Sequence, residues 1–166
     1  LLFSATMPPA LNDVAREALY DPVRVDLAPQ TRPAAGITQA VYPVPRPLKT
    51  DLLDTILRRT PTDGVIVFTR TKHGADRVAR QLGQAGIGAL AIHGNKAQGA
   101  RERALAGFKA GATRVLVATD IAARGIDIDQ LPHVVNYELP MVAEDYVHRI
   151  GRTGRAGETG QAISLV

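Results

Sequence analysis

Cysteine is absent from the 166 residues, which removes disulfides, thiolate nucleophiles and cysteine zinc sites together. Tryptophan is absent as well, and aromatic residues make up only 4% of the chain. Recognition of single strands by stacking bases on rings therefore has little to draw on, whereas contact with a sugar-phosphate backbone loses nothing. No stretch approaches the ~18 consecutive apolar residues of a membrane span. No basic-then-apolar signal segment opens the chain. Lysine is scarce, at positions 49, 72, 96 and 109, and none of the four follows a glycine. A Gly-x-x-x-x-Gly-Lys-Ser/Thr loop for cradling nucleotide phosphates is thus excluded.

What is present points to a folded domain. Hydrophobic residues account for 45% and charged ones for 22%, with mean hydropathy −0.03, which suits one domain with a core plus an appendage and excludes a wholly disordered chain. The net charge of +4 and pI of about 9.8 make polyanions natural partners. Most of the basic residues are arginine, whose planar fork matches phosphate oxygens. A GC-rich genome produces the same bias, so composition alone leaves both explanations open. A cytoplasmic location fits the missing cysteine and membrane partners are not expected. The abrupt start, Leu1-Leu2-Phe3-Ser4, reads as a cut inside a larger protein.

Pro8 and Pro9 can open a helix that carries Leu11, Val14, Ala15, Ala18 and Leu19 on one face and ends at Asp21-Pro22. Val23, Val25 and Leu27 alternate with polar residues, predicting a short half-buried strand. Residues 28–47 hold Pro29, Pro33, Pro43, Pro45 and Pro47 and read as a linker, with Ile37 to Val44 as an edge strand within it. From Leu48 the pattern becomes regular. Continuous apolar runs at 65–68, 89–92 and 115–118 predict strands covered on both faces, alternating with helices whose apolar positions fall at helical spacing. His133 to Leu139 predicts another strand, Ala143 to Ile150 a helix, and Gln161 to Val166 a last strand. That alternation implies parallel βαβ units and a three-layer α/β domain with a mostly parallel sheet.

Ligands on such sheets collect at the carboxyl ends of the strands. Past those ends come Thr69-Arg70-Thr71-Lys72-His73, His93-Gly94-Asn95-Lys96, and Thr119-Asp120 running to Arg124-Gly125-Ile126-Asp127. The last helix runs into His148-Arg149-Ile150-Gly151-Arg152-Thr153-Gly154-Arg155. Basic, polar and glycine residues therefore gather on one rim, the profile of a phosphate-binding edge. Arg149, Arg152 and Arg155 recur every three residues, and Gly151 and Gly154 place them at a helix end or loop. Crowded guanidiniums suit an arriving polyanion, arginine fingers on a γ-phosphate being one case. Taken singly, each residue also has a plain structural reading. Asp120 could cap the short helix at Ile121, Thr71 could cap the helix near Lys72, His93 could be structural at a strand end, and Asp127 an ordinary turn residue. Four scattered histidines make no metal site.

The strings are more specific than their parts. The sequence resembles the DEAD-box family of superfamily 2 helicases, and specifically its bacterial RhlE-like branch. Ser4-Ala5-Thr6 looks like motif III, Val67 to Lys72 like motif IV, and Gln98 with Arg101 like the Gln-x-x-Arg element. Ala118-Thr119-Asp120 through Ile128 looks like motif V, and Tyr146 through Arg155 like motif VI. His148 also separates this string from related helicases, which usually carry glutamine there.

The resemblance implies a RecA-like fold and roles for particular residues. Arg152 and Arg155 would contact the γ-phosphate of ATP, and Asp127 its ribose. His148 would link that region to Ser4 and Thr6, which relay hydrolysis to strand separation. Thr69, Arg70, Gly94, Arg101, Thr119 and Gly125 would line the RNA sugar-phosphate path, without regard to base sequence. Arg149 would be a structural or motif-linking arginine rather than a finger. By the same resemblance, residues 1–27 are the tail of a first RecA-like domain, 28–47 the linker, and 48–166 the helicase C-terminal RecA-like domain. No Asp-Glu-Ala-Asp string occurs, so Mg²⁺ and ATP are expected on the missing N-terminal domain, with nothing bound tightly here. Residues 1–27 lack their own sheet and are expected to pack on the second domain or, by self-association, on another chain.

Overall fold

The structure, a computed structural model, describes residues 1–3, 9–25, 36–60, 64–124, 126, 128, 131–154 and 159–166. The chain divides into two compact units, Leu1–Arg32 and Pro33–Val166. In the first unit α1 spans Pro9–Ala18, as its proline start and apolar spacing predict. The short strand expected at Val23 to Leu27 is not formed among the described residues: Val23 and Val25 are exposed and lie outside any strand, and Leu27 falls outside the described residues. A two-residue alternation has no meaning without a neighbouring strand to take its backbone groups.

The second unit is built on a six-stranded sheet of order β1-β6-β5-β2-β4-β3, in which every pairing is parallel. The strands are β1 (Ile37–Tyr42), β2 (Val65–Phe68), β3 (Ala89–Ile92), β4 (Val115–Ala118), β5 (His133–Asn136) and β6 (Gly160–Leu165). Between them run α2 (Lys49–Arg59), preceded by a 3-10 turn over Arg46–Leu48, then α3 (Lys72–Gln84), α4 (Gln98–Lys109), α5 (Asp120–Ala123) and α6 (Ala143–Ile150). The segment read as a linker contributes β1 to the sheet edge, and Pro43, which has no N–H to donate, follows its last residue.

The continuous apolar runs have a simple cause. Successive strand side chains point to opposite faces, and both faces are covered. Val65, Val67, Val115, Val117 and Val135 pack on one side with Leu53 and Leu57 of α2 and Val78 and Leu82 of α3. Ile66, Phe68, Leu116, Ala118 and Val134 pack on the other with Ala104 and Phe108 of α4 and Ala122 of α5. Each fully buried Leu, Ile or Phe contributes ~1.5–3 kcal/mol, so two such clusters account for a stable layered unit.

His133 opens β5 and is buried, with its Nε2 3.1 Å from Gln161 Oε1. Burial lowers its pKa below the ordinary histidine range; the positive charge of Arg114 acts the same way and the Gln161 hydrogen bond opposes. Because the folded pKa lies below the unfolded one, stability is full above the unfolded value of about 6.5 and is lost as pH falls through the folded value. Urea melts of this chain should give a lower midpoint at pH 5 than at pH 7.5. His133→Gln should flatten that difference, and an unchanged slope in the variant would contradict the assignment.

Candidate functional site

Parallel register aligns the carboxyl ends of the strands. Phe68 pairs with Ala118 and with Asn136, and Ala118 pairs with Ile92, so Thr69, His93, Thr119 and Tyr137 emerge at one level. The rim expected from the sequence is therefore formed, and the strand that was expected to run to Leu139 ends at Asn136. Tyr137 and Glu138 consequently belong to the rim. The Glu138 N–H still reaches the Phe68 carbonyl at 3.3 Å, but Leu139-Pro140 turns away.

Arg149 is the centre of the rim's chemistry. Its side chain is 1% exposed, and it donates through Nε to Asp120 Oδ1 at 2.6 Å and through Nη2 to Asp120 Oδ2 at 2.8 Å. Nη1 donates to Asn136 Oδ1 at 3.0 Å and to the Glu138 carbonyl at 2.6 Å. The guanidinium also lies 5.0 Å over the Phe68 ring, a desolvated cation–π contact. Asn136 in turn donates to Ser164 Oγ at 3.3 Å, so one polar network joins α5, α6, β5 and β6. A second ion pair, Arg124 to Asp145, ties the end of α5 to the start of α6. A buried charge held this way is a latch, with four of its five N–H donors committed. Asp120 is therefore more than a cap: Thr119 occupies the cap position of α5 and makes no capping bond through its side chain.

The three arginines of the terminal string are not equivalent. α6 ends at Ile150 with Gly151 as its cap residue, so Arg149 is in the last helical turn and Arg152 is in the turn beyond. Arg152 is half-buried and donates to the carbonyls of Ala123 and Ile126, both at 3.3 Å, which sets its guanidinium beside the segment after α5. The backbone beyond is clamped from two sides. Thr153 is fully buried, its hydroxyl donates to the Leu131 carbonyl, and the Leu131 N–H donates back to the Arg152 carbonyl at 3.0 Å. On the other side Gly160 lies so close that a Cβ there would fall on the Thr153 hydroxyl and 2.8 Å from the Gly154 nitrogen. Gly154 itself adopts φ +64, a left-handed conformation that favours glycine. Arg155, Asp127, Gly125, Ser4 and Thr6 lie outside the described residues. His148 is exposed on α6.

The positions expected to line a sugar-phosphate path differ among themselves. Arg70 is exposed, its amide N–H donates to Glu138 Oε2 at 2.8 Å, and its Nη1 is 3.5 Å from Met141 Sδ. Thr69 is fully buried, its hydroxyl donates to the Thr71 carbonyl at 3.2 Å and its N–H to the Ala118 carbonyl at 3.0 Å, so it lies behind the rim and presents no surface to solvent. Thr71 caps α3 by accepting from the Gly74 N–H at 3.0 Å, as its place before Lys72 suggests. Gly94 is exposed, with no atom within 4 Å of where a Cβ would stand and no positive φ; its missing side chain serves neither packing nor a turn within the described residues. Thr119 is half-buried and Arg101 lies in the first turns of α4, its Nη1 3.1 Å from Gln98 Oε1.

Sequence reasoning missed Asn136 and Glu138, whose signal was their place at the end of the fourth apolar run, and it missed Asp76 on α3. His93 is buried at the end of β3, with Nε2 3.0 Å from Asp76 Oδ2, while Lys96 reaches Asp76 Oδ1 at 2.9 Å. Partial burial would raise the Asp76 pKa, but the hydrogen bonds and charges of Lys96 and His93 outweigh it and hold the carboxyl below its ordinary value. No three His, Asp or Glu residues among the described ones come together as a metal cage.

Residues 48–157 match the family model described as helicase conserved C-terminal domain. The chain belongs to that family. Among similar proteins, DEAD-box ATP-dependent RNA helicase 30 of Arabidopsis thaliana is 46% identical over 168 residues, covering 99% of this chain and 28% of the relative. The ATP-dependent RNA helicase DeaD of Mycobacterium tuberculosis is 44% identical over 165 residues, covering 99% of this chain and 29% of the relative. Of solved structures, the E. coli DEAD-box protein SrmB bound to regulator of ribonuclease activity A is similar at TM-score 0.70 and 40% identity, covering 81% of this chain and 78% of that one. A DEAD box protein from Methanococcus jannaschii is similar at TM-score 0.75 and 38% identity, covering 99% of this chain and 44% of that one. The helicase C-terminal domain described here is thus of the DEAD-box type with a RecA-like α/β fold, and the chain spans less than a third of the length of these curated relatives.

Proposed function

We propose that this helicase C-terminal domain is the arginine-supplying half of an ATP-dependent RNA helicase. It closes onto ATP and Mg²⁺ held by an N-terminal RecA-like domain, while its own strand-end rim binds RNA through the sugar-phosphate backbone and short duplexes are unwound or remodelled. The observation that carries this reading is the Arg149–Asp120 latch. With four N–H groups of Arg149 committed inside the domain, Arg149 is not available to phosphate, and the phosphate-facing role that the family resemblance implies goes to Arg152, in the turn after α6, and to Arg155. Arg152 would exchange its 3.3 Å carbonyl contacts for γ-phosphate oxygens, which suits bonds at the long end of the range.

Asp127 would hold the ribose, and His148, exposed on α6, would link the γ-phosphate region to motif III, with Ser4 and Thr6 relaying hydrolysis to strand separation. On the rim, Arg70, Gly94, Arg101, Thr119 and Gly125 take the RNA backbone, and the buried Thr69 supports Arg70 from behind. The open space over Gly94 suits close approach by a phosphate. We place the parent protein on the RhlE-like branch and in the cytoplasm, and read residues 1–27 as the tail of the first RecA-like domain. In the isolated chain that tail would pack on the chain's own second domain or, by self-association, on another copy.

ATP turnover of the full-length protein, measured with RNA and with DNA of the same sequence, tests the substrate class. RNA is expected to stimulate strongly and DNA little. Equal stimulation by both would overturn the RNA assignment, and no stimulation by either would reduce the domain to a binding module.

A further inference from the structure

Beside the rim, between α3 and the turn before α2, lies a concavity of about 600 Å³ lined by Arg46, Arg70, His73, Arg77, Arg80 and the carboxylates Asp76 and Glu138. His73, Arg77 and Arg80 follow at i, i+4 and i+7 along α3 and share one exposed face. The 3-10 turn brings Arg46 to the same hollow from a separate stretch of chain.

Its charge is not balanced from within. Asp76 is already bonded to Lys96 and His93, and Glu138 accepts from the Arg70 amide. Arg77 and Arg80 form no hydrogen bond or ion pair among the described residues. The neighbouring Lys49 responds to this field. Its ammonium donates to the carbonyls of Leu165 at 2.8 Å and Tyr137 at 3.3 Å, and burial lowers its pKa, with Arg70 and Arg46 adding to that effect against Glu138.

We infer that the hollow formed by Arg46, Arg77 and Arg80 is a second anchor for RNA, taking phosphates of a strand that continues past the rim at Arg70. The inference rests on the RNA-binding reading above. RNA is the occupant that the arrangement favours because Arg70 belongs to both surfaces, so one continuous polyanion spans them without a break. The guanidiniums are also spread over two chain segments, as phosphates along a strand are. Contacts to phosphates carry no sequence information, so binding through these guanidiniums is blind to sequence.

Full-length protein carrying Arg77→Ala with Arg80→Ala would be titrated with two labelled oligouridylates. One is just long enough to stimulate ATP turnover fully, and the other is extended at both ends. The variant is expected to bind the long oligomer about tenfold more weakly at low salt, with the slope of log affinity against log salt shallower by about 0.7 for each phosphate no longer engaged. Affinity for the short oligomer and kcat with it should match wild type. Arg58→Ala with Arg59→Ala, which removes equal charge at the opposite end of α2, should alter neither. Wild-type affinity of the double variant for the long oligomer would overturn the inference and leave the hollow to an acidic protein surface. Equal losses on both oligomers would overturn it as well, because the effect would then belong to the rim. Failure of unmodified protein to bind even the short oligomer would count against the RNA reading itself.

Discussion

In the full-length protein, Arg155→Ala is expected to lower kcat for ATP about 10³-fold or more, the usual loss when an arginine finger is removed from phosphoryl transfer. That factor corresponds to about 4 kcal/mol of transition-state stabilisation. Within the string, the family resemblance assigns the finger role to Arg155 together with Arg152, whereas Arg149 is committed to Asp120, Asn136 and Glu138. KM for ATP should change far less, because the nucleotide is held by the other domain in the function proposed. Arg155→Lys should rescue poorly, since a point charge does not reproduce the planar fork. Steady-state turnover at saturating RNA measures all three. A variant with wild-type kcat would remove Arg155 from the finger assignment.

Arg149→Ala is expected to be the most damaging single change to the fold. It leaves Asp120 without its cation, strips Asn136 and the Glu138 carbonyl of a donor, and opens a gap above Phe68. Breaking a buried pair by removing one partner costs about 3–5 kcal/mol. Against a total stability of ~5–15 kcal/mol, that is enough to leave much of the chain unfolded at 37 °C. Urea denaturation of this chain reads the loss directly. Arg149→Lys should recover only part of it, because lysine cannot hold both Asp120 oxygens and Asn136 together. A loss below about 1 kcal/mol would mean that Asp120 is solvated and the network is not a latch.

The strands and helices of 48–166 were legible because both-face burial leaves unbroken apolar runs and helices leave spaced ones, signals that survive without tertiary knowledge. The rim was legible for the same reason: parallel strands end together, and the residues just beyond each end can be read directly along the chain. The roles on the rim were less so. Asp120 alone reads as a cap, and only its two oxygens on Arg149 assign it otherwise. Thr69 reads as a surface hydroxyl in a polar string, yet it is fully buried because its backbone continues the β2 ladder to Ala118. Val23 and Val25 read as a strand, but alternation states what a strand would bury and not whether a partner exists. The arginines of the hollow were invisible in sequence, since Arg46 and Arg80 meet only through the packing of α2 and α3 on one face of the sheet.

Arginines that act on a nucleotide held elsewhere do nothing until that nucleotide arrives. RNA-stimulated ATP turnover of this chain alone, set beside that of the full-length protein under the same conditions, tests this dependence most directly. The chain alone should show no turnover above background, while the full-length protein turns over and loses that activity with Arg155→Ala. Robust RNA-stimulated hydrolysis by the pure chain would contradict it.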